Sequence, residues 1–226
     1  IQNFYLKLME RKLQDLSALD KEFKLMIVND VKWVFFDLDG TLVDSINIMY
    51  DVYMNFLKFF QKIGTREEFE KLNGPSLNEI VYYLKTEYEL NWNVSDLSKK
   101  YQTMIHESYV VVKPFKNSTI VLENLYEKQY KLALVSSTGR QIVQKILNDF
   151  NWSKYFSIII TGDDIKISKP SPEIYHLCIS KSKTNKKNIL AIEDSKNGYD
   201  SATKAGLKCI KLDKDNNLRS IMTMLT

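Results

Sequence analysis

The sequence predicts an α/β fold in which a doubly wound parallel sheet carries a helical insert after its first strand. Five short apolar runs without polar alternation predict the strands, and amphipathic segments of helical length separate the last four runs. The insert is predicted because no such run occurs between Asp44 and Pro114. Strands that alternate with helices in this way are typical of a doubly wound core.

The five apolar runs have the length of strands. The first, VKWVFF at residues 31–36, ends at Asp37. The others are KLALVS at 131–136, FSIIIT at 156–161, NILAIE at 188–193 and LKCIKL at 207–212. Strands that are apolar on both sides are buried on both sides, which favours a parallel sheet covered by helices.

Amphipathic periodicity predicts the helices of the core and of the insert. Residues 46–113 contain only helical patterns, interrupted by a turn with the sequence NGPS at 73–76. Ser76 is expected to cap a helix that begins at Leu77. The core helices are predicted at 117–129, 139–150, 172–182 and 197–205.

These elements divide the chain into three predicted parts. The core comprises residues 29–45 and 114–226, and the helical insert comprises residues 46–113. Residues 1–28 form a helical extension before the first strand, because their apolar residues recur at helical spacing with charges between them. We expect this extension to dock on the rest of the protein as a helix.

Composition and charge exclude several classes of function. Hydrophobic residues make up 44% and charged residues 27% of the 226 residues, a balance typical of globular proteins. The net charge of +4 is small, and the lysines and arginines are scattered, so we expect no nucleic-acid partner. No apolar run approaches the ~20 residues that span a bilayer, so we expect no membrane partner.

Cysteine and histidine content narrows the chemistry further. Cys178 and Cys209 lie in apolar stretches without metal-ligand spacing, so we expect reduced thiols in a cytoplasmic protein. His106 and His176 are too few for a histidine-based zinc site, and both are expected to be structural or on the surface. The chemistry is therefore expected from carboxylates, hydroxyls and lysine.

Polar and charged residues follow four predicted strands at the point where each strand ends. In an open parallel sheet, ligands bind outside the carboxyl ends of the strands. We therefore expect these side chains to meet at one rim. They are Asp37 and Asp39 after the first strand, Ser136 and Ser137 after the second, Lys169 beyond the third, and Glu193 and Asp194 at the end of the fourth.

The carboxylates at this rim predict a Mg²⁺ site and a nucleophile. They form the hard oxygen environment that Mg²⁺ prefers, and the cation screens the repulsion between a carboxylate and a phosphate. Asp37 is the candidate nucleophile toward phosphorus, and Asp39 is the candidate acid and base. Ser136, Ser137 and Lys169 are candidate ligands of the phosphate. The predicted partner is a small phosphorylated metabolite.

Four motifs carry a resemblance to a known family. FFDLDGTLVDS at 35–45, the strand-end Ser136, Lys169-Pro170 and IEDSKNGYDSATKAG at 192–206 resemble, in this order, the motifs of the haloacid dehalogenase superfamily. The resemblance covers the chain from about residue 31 to residue 212. Within the superfamily, the chain resembles the phosphoglycolate phosphatases and the β-phosphoglucomutases.

The resemblance implies a fold, an activity and a ligand set. The implied fold is a Rossmann-like core with a helical cap after the first motif, where the strand pattern is interrupted. The implied activity is Mg²⁺-dependent hydrolysis of a small phosphomonoester through an aspartyl-phosphate. The implied ligands of Mg²⁺ are Asp37, the backbone carbonyl of Asp39, Asp194 and Glu193, the last directly or through water.

Two other functions remain open. A sugar-phosphate mutase similar to β-phosphoglucomutase shares Glu-Asp-Ser in the last motif, but has a histidine and an arginine where this chain has Met49 and Leu77. A non-catalytic binding or regulatory module on a phosphatase core is the third interpretation, supported only by the extension at 1–28. Asp39 argues against a dehalogenase, which needs no acid at that position.

The turn at residues 73–76 is the expected source of substrate selectivity. It resembles the cap loop of phosphoglycolate phosphatases and of pyrophosphatase-like relatives. The candidate substrate contacts in and after this turn are Asn73, Ser76, Asn78 and Tyr82. Thr41 and Ser45, which follow the first motif, are candidates for lining the site from the core.

Overall fold

A parallel sheet of five strands lies at the centre of the computed structural model, which describes residues 30–72, 74–213 and 218–225. The strands are β1 (Trp33–Phe36), β2 (Lys131–Val135), β3 (Phe156–Ile160), β4 (Ile189–Glu193) and β5 (Lys208–Lys211), in the order β3-β2-β1-β4-β5. All neighbouring strands are parallel. The predicted α/β fold is therefore confirmed, whereas the extension predicted at 1–28 lies outside the described residues.

Nine α-helices surround the sheet in the described part of the chain. Between β1 and β2 are α1 (Ile46–Phe59), α2 (Arg66–Lys71), α3 (Leu77–Glu87) and α4 (Val94–Ser108), and we call residues 46–111 the helical segment. The others are α5 (Ser118–Glu127), α6 (Arg140–Asp149), α7 (Glu173–Ser182), α8 (Lys196–Lys204) and α9 (Leu218–Leu225). None of these nine helices is both long and apolar enough to cross a membrane.

The helices of the helical segment begin at polar capping residues. Thr65 accepts a hydrogen bond from a backbone N–H in the first turn of α2, and Asn93 does the same for α4. Ser76 caps α3 as predicted, and Glu79 completes a reciprocal capping box with it. These side chains satisfy N–H groups that have no partner within the helix, and so they fix where each helix starts.

Apolar clusters cover both faces of the sheet. Because side chains alternate across a strand, Val34 and Phe36 of β1 join one cluster, whereas Trp33 and Phe35 join the other. The first cluster continues into the helical segment through α1 and α4, and the second is covered by α7 and α8. The central strand is therefore buried on both faces, as its unbroken apolar run predicts.

The two stretches of chain that join the helical segment to the sheet lie side by side. Val43 and Pro114 form an isolated antiparallel bridge. The backbone N–H of Asp44 donates to the carbonyl of Lys113 at 2.9 Å, and that of Phe115 donates to the carbonyl of Leu42 at 3.1 Å. The chain thus leaves the sheet and returns to it at adjacent points, close to the end of β1.

Candidate active site

The register of the sheet brings the ends of β1, β2 and β4 to the same level. Phe36, the last residue of β1, pairs with Leu134 of β2 and with Ile192 of β4. The next residue, Asp37, donates its backbone N–H to the carbonyl of Ile192 at 3.0 Å. Asp37 therefore lies between the ends of two neighbouring strands, at the carboxyl edge of the sheet.

Lys169 is buried and joins two of the predicted carboxylates. Its Nζ donates to Oδ1 of Asp37 at 2.7 Å, to Oε1 of Glu193 at 2.7 Å and to the carbonyl of Val135 at 3.0 Å. Burial alone would lower the pKa of Lys169, but the charges of Asp37 and Glu193 outweigh burial and raise the pKa above its usual value. The ammonium group therefore remains charged inside the protein.

Glu193 has no exposed surface and orients Lys169. Its Oε1 also accepts a hydrogen bond from the Tyr175 hydroxyl at 2.5 Å. Its Oε2 is buried and has no hydrogen-bond partner among the described residues. A Cβ added at Gly198 would lie 1.9 Å from Oε2, so only glycine fits at that point of α8. Tyr175 was not predicted, because a tyrosine at helical spacing also fits a core position.

Three of the predicted metal ligands form a carboxylate cluster. Asp37, Glu193 and Asp194 each offer an oxygen, and these oxygens lie within 4.8 Å of one another. Burial, with the charge of Glu193, raises the pKa of Asp194 to about 7. Burial also raises the pKa of Asp37 well above its usual value, although Lys169 opposes this. One lysine thus faces three carboxylates, and both this excess and the unpartnered Oε2 of Glu193 fit a divalent cation such as Mg²⁺.

The carboxylate of Asp39 lies outside that cluster and is held by hydroxyl groups. Ser45 Oγ donates to Oδ1 at 2.6 Å, and Thr138 Oγ1 donates to Oδ2 at 2.6 Å. The hydroxyl of Tyr109, a buried residue just after α4, also donates to Oδ1. Of these three donors the sequence identified only Ser45. Tyr109 lies far from Asp39 in the sequence and belongs to none of the four motifs. The sequence around it therefore does not distinguish it from a core residue.

The two predicted serines follow β2 and differ in their contacts. Ser136 is buried, donates its backbone N–H to the carbonyl of Ile160 at 3.0 Å, and accepts at Oγ from the backbone N–H of Thr138 at 3.0 Å. The Ser137 hydroxyl donates to the carbonyl of Gly74 at 2.7 Å. Ser137 therefore connects the end of β2 to the turn that precedes α3.

A pocket of about 460 Å³ lies between the strand ends and helices α3 and α4. Its size is in the range of small-molecule sites. Six of the seven predicted site residues line it, namely Asp37, Asp39, Ser136, Ser137, Lys169 and Asp194. Glu193 lies behind this surface. Of the candidate substrate contacts, Ser76 and Asn78 line the pocket, whereas Tyr82 does not, and 66% of its surface is exposed. Asn73 lies outside the described residues.

One protein family matches most of the chain. The sequence profile described as haloacid dehalogenase-like hydrolase matches residues 34–212. The matched range contains all seven predicted site residues and the whole helical segment. The match therefore agrees with the resemblance seen in the four motifs.

Several similar proteins of known name are phosphatases. A phosphorylated carbohydrates phosphatase of Thermotoga maritima is 28% identical over 182 residues, which cover 78% of this chain and 82% of that protein. Pyrophosphatase PpaX of Oceanobacillus iheyensis is 27% identical over 178 residues, covering 79% and 81%. A phosphoglycolate phosphatase of Aquifex aeolicus is 32% identical over 144 residues, covering 62% and 64%.

Solved structures share the fold. CbbY from Rhodobacter sphaeroides in complex with phosphate superposes with a TM-score of 0.72 at 21% identity, covering 80% of this chain and 86% of that one. A hydrolase from Pseudomonas syringae gives a TM-score of 0.72 at 19% identity, covering 86% and 90%. At these identities the likeness concerns the fold alone, a parallel sheet surrounded by helices.

Proposed function

Because the chain belongs to the haloacid dehalogenase-like hydrolase family and its named relatives are phosphatases, we propose that it hydrolyses a small phosphomonoester with Mg²⁺ through an aspartyl-phosphate on Asp37. The observation that carries the proposal is the position of Asp37. Its carboxylate is buried at the strand end, bound to Lys169 and within reach of two further carboxylates. It also shares one pocket with Asp39.

The proposed first step transfers the phosphoryl group to Asp37. An oxygen of the Asp37 carboxylate attacks phosphorus while the bond from phosphorus to the leaving oxygen breaks. Asp39 acts as the general acid and gives a proton to the leaving oxygen, and an alcohol departs. The hydroxyls of Ser45, Thr138 and Tyr109 hold the Asp39 carboxyl group in place for this transfer.

The proposed second step releases inorganic phosphate. Asp39, now a carboxylate, takes a proton from a water molecule, and that water attacks phosphorus as the bond to Asp37 breaks. Lys169 and Ser136 bind oxygens of the transferring group, and the fixed charge of Lys169 balances negative charge as it is redistributed. Asp39 thereby regains the proton that it gave to the leaving oxygen in the first step.

The proposed metal site uses the carboxylate cluster. Asp37, Asp194 and the backbone carbonyl of Asp39 would hold Mg²⁺, and Glu193 would contribute directly or through water. Bound there, the cation supplies charge that screens the nucleophile from the phosphate. In support, a Cβ at position 40 would lie 2.1 Å from Oδ2 of Asp194, so Gly40, with a φ of +79°, leaves room for that carboxylate.

We further propose that residues 46–113 act as a cap over a core formed by residues 29–45 and 114–226. Two observations support this division, since the Ser137 hydroxyl donates to the carbonyl of Gly74 and Ser168 of the core lies close enough to Glu79 to lower the pKa of that carboxyl group. Both observations place the start of α3 next to the core at the edge of the pocket. Such a cap excludes bulk water while the phosphoryl group is transferred.

The mutase interpretation is less well supported by the pocket. A mutase must hold a second phosphate away from the nucleophile, and this requires cationic or hydrogen-bonding groups there. At the two positions where β-phosphoglucomutases carry a histidine and an arginine, this chain presents Met49 and Leu77, and both line the pocket. We therefore favour hydrolysis over phosphoryl transfer within a sugar.

The test of this proposal is phosphate release from p-nitrophenyl phosphate by the wild-type protein and by Asp37→Asn. We expect turnover that requires Mg²⁺ and is abolished by a chelator. The substitution should lower kcat by about 10³-fold or more, because an amide cannot act as the nucleophile. Circular dichroism and the unfolding midpoint should show a folded variant. Comparable turnover by a folded Asp37→Asn protein would exclude the aspartyl-phosphate.

A further inference from the structure

The pocket wall opposite the phosphate end has no positive charge. Sixteen described residues of the helical segment line the pocket, and none of them is lysine, arginine or histidine. Glu79 is the single charged residue among them. The uncharged polar side chains of this wall are Ser76, Asn78, Ser98, Tyr101 and Gln102, whereas Tyr109 lies at the phosphate end, against Asp39. The part of a substrate that points away from Asp37 therefore meets hydroxyls, amides, apolar groups and one carboxylate.

Glu79 keeps its negative charge at neutral pH. Its Oε2 accepts hydrogen bonds from the backbone N–H of Ser76 at 2.8 Å and from the Ser76 hydroxyl at 2.7 Å. Burial alone would raise the pKa of Glu79, but the hydrogen bonds from Ser76 and Ser168 outweigh burial and lower the pKa below its usual value. The carboxylate is thus fixed in position at the start of α3 and ionised there.

The cations on the core side of the pocket do not supply the positive charge that this wall lacks. Lys169 is bound by Asp37 and Glu193 at the phosphate end. Arg140 does not line the pocket, and its guanidinium donates to both oxygens of Asp164 at 2.7 and 2.5 Å. Lys166 lines the pocket from the core and, like Glu79, is exposed to solvent, so an ion pair between Lys166 and a substrate anion would contribute little.

We propose that the substrate is the phosphate ester of a small alcohol that carries no negative charge, and that Glu79 and the uncharged wall reject a second phosphate or a carboxylate. This inference rests on the proposed phosphatase function. An anionic leaving group would lie against uncharged groups and the Glu79 carboxylate, and this wall has no cation to pair with it, which is unfavourable. Hydroxyl or ammonium groups on the alcohol would instead find amide, hydroxyl and carboxylate partners.

The test compares substrates that differ in the charge of the alcohol. The two-carbon set is ethylene glycol phosphate, phosphoethanolamine and 2-phosphoglycolate, and the six-carbon pair is glucose 6-phosphate and 6-phosphogluconate. Pyrophosphate is a further anionic probe, and p-nitrophenyl phosphate is the reference. We measure kcat/KM for phosphate release with Mg²⁺. Within each size class, we expect the neutral or cationic ester to exceed the anionic one by roughly tenfold or more.

The variant that tests the wall is Glu79→Gln. Glutamine removes the charge but can still serve at the third position of a capping box, so α3 keeps its start. We expect the ratio of kcat/KM between neutral and anionic esters to fall by roughly fivefold. Glu87→Gln is the matched control, because it makes the same charge change on the same helix at an exposed position outside the pocket. Its ratio should equal that of the wild type.

The outcomes separate this inference from the function on which it rests. If no compound releases phosphate, the aryl phosphate included, both the phosphatase proposal and the inference fail. If the aryl phosphate is hydrolysed and the anionic esters react as fast as their neutral counterparts or faster, the inference alone is overturned. If Glu79→Gln leaves the ratio of kcat/KM between neutral and anionic esters unchanged, Glu79 does not contribute to substrate selection.

Discussion

At the scale of single residues, Asp39 is held by hydroxyl donors from three separate parts of the chain. Ser45 directly precedes α1, Thr138 follows β2, and Tyr109 lies near the end of the helical segment. Tyr109 is the one of these that reaches the carboxylate from the helical segment. We therefore infer that it is a positioning residue, which sets the orientation of Asp39 without touching the substrate phosphorus.

Removing the Tyr109 hydroxyl should slow the first step, in which Asp39 protonates the leaving oxygen. In Tyr109→Phe, we expect kcat to fall by roughly tenfold for an alkyl phosphate, whose leaving oxygen must be protonated. For p-nitrophenyl phosphate, a good leaving group, kcat should fall much less, and KM should change little for both. The measurement is steady-state phosphate release with the two substrates.

Tyr88→Phe is the control for the loss of a hydroxyl. The Tyr88 hydroxyl also donates to a carboxylate, Oε2 of Glu68 at 2.6 Å, but this pair does not line the pocket. We expect Tyr88→Phe to lower stability. Any change in kcat should be the same for alkyl and aryl phosphates. Equal losses for alkyl and aryl phosphates in Tyr109→Phe would indicate a structural role only.

Residue chemistry explains which parts of the site were predictable. Asp37, Lys169 and Asp194 follow apolar runs, and a parallel sheet must bring such positions to one edge. By contrast, Tyr109 and Tyr175 contact the site from helices or from their ends, where aromatic residues at helical spacing are normally part of the core. Their roles depend on three-dimensional packing that no local pattern encodes.

At the scale of elements, the start of α3 supports both stability and binding. Ser76 caps α3, and Glu79, its partner in the capping box, lies close enough to Ser168 of the core for that residue to lower its pKa. In Ser76→Ala, we expect the free energy of unfolding to fall by about 1 kcal/mol. We also expect KM to rise several-fold, because the turn before α3, which lines the pocket, is no longer held by the hydrogen bonds of the Ser76 side chain. Chemical denaturation and steady-state kinetics measure the two effects.

Thr65→Ala separates stability from binding. Thr65 caps α2 in the same way, with Oγ1 accepting from the backbone N–H of Glu68 at 3.1 Å, but it does not line the pocket. We expect a similar loss of stability with KM unchanged. If both variants raise KM equally, the effect belongs to the helical segment as a whole and not to the start of α3.

Elements were predicted where periodicity was long and regular. The helices predicted for the core correspond to α5, α6, α7 and α8, with ends that differ by two residues at most. The last helix, α9, is absent from the predicted set, although its buried Leu218, Ile221 and Leu225 recur at helical spacing. Eight residues give too short a pattern to separate a helix from a loop.

At the scale of the whole molecule, the carboxylate cluster links metal binding to stability. Mg²⁺ that binds only the folded state stabilises it by mass action. We expect millimolar Mg²⁺ to raise the melting temperature by roughly 2–4 °C, the shift that about 1 kcal/mol produces in a chain of this size. Thermal denaturation of the wild type measures this shift. Asp194→Asn, which lacks one carboxylate of the cluster, should show little of this shift.

The effect of Mg²⁺ should grow with pH. Burial raises the pKa of Asp194 to about 7 from an ordinary value of 3.8, so without metal the folded state binds more protons than the unfolded state between these values. Stability of the metal-free protein therefore falls as pH rises through that window. Because Mg²⁺ needs the ionised carboxylate, its stabilising effect should be larger at about pH 8 than at about pH 5.5. A pH-independent shift would contradict binding at this cluster.

The paired connections at Val43 and Pro114 have an evolutionary consequence. Because the chain leaves and re-enters the sheet through hydrogen-bonded neighbours, an inserted module of any length needs only two adjacent attachment points. Lineages descended from a common ancestor can therefore exchange, enlarge or lose the material between these points while the strand order stays intact. New selectivities can arise in this way without redesign of the hydrolytic machinery.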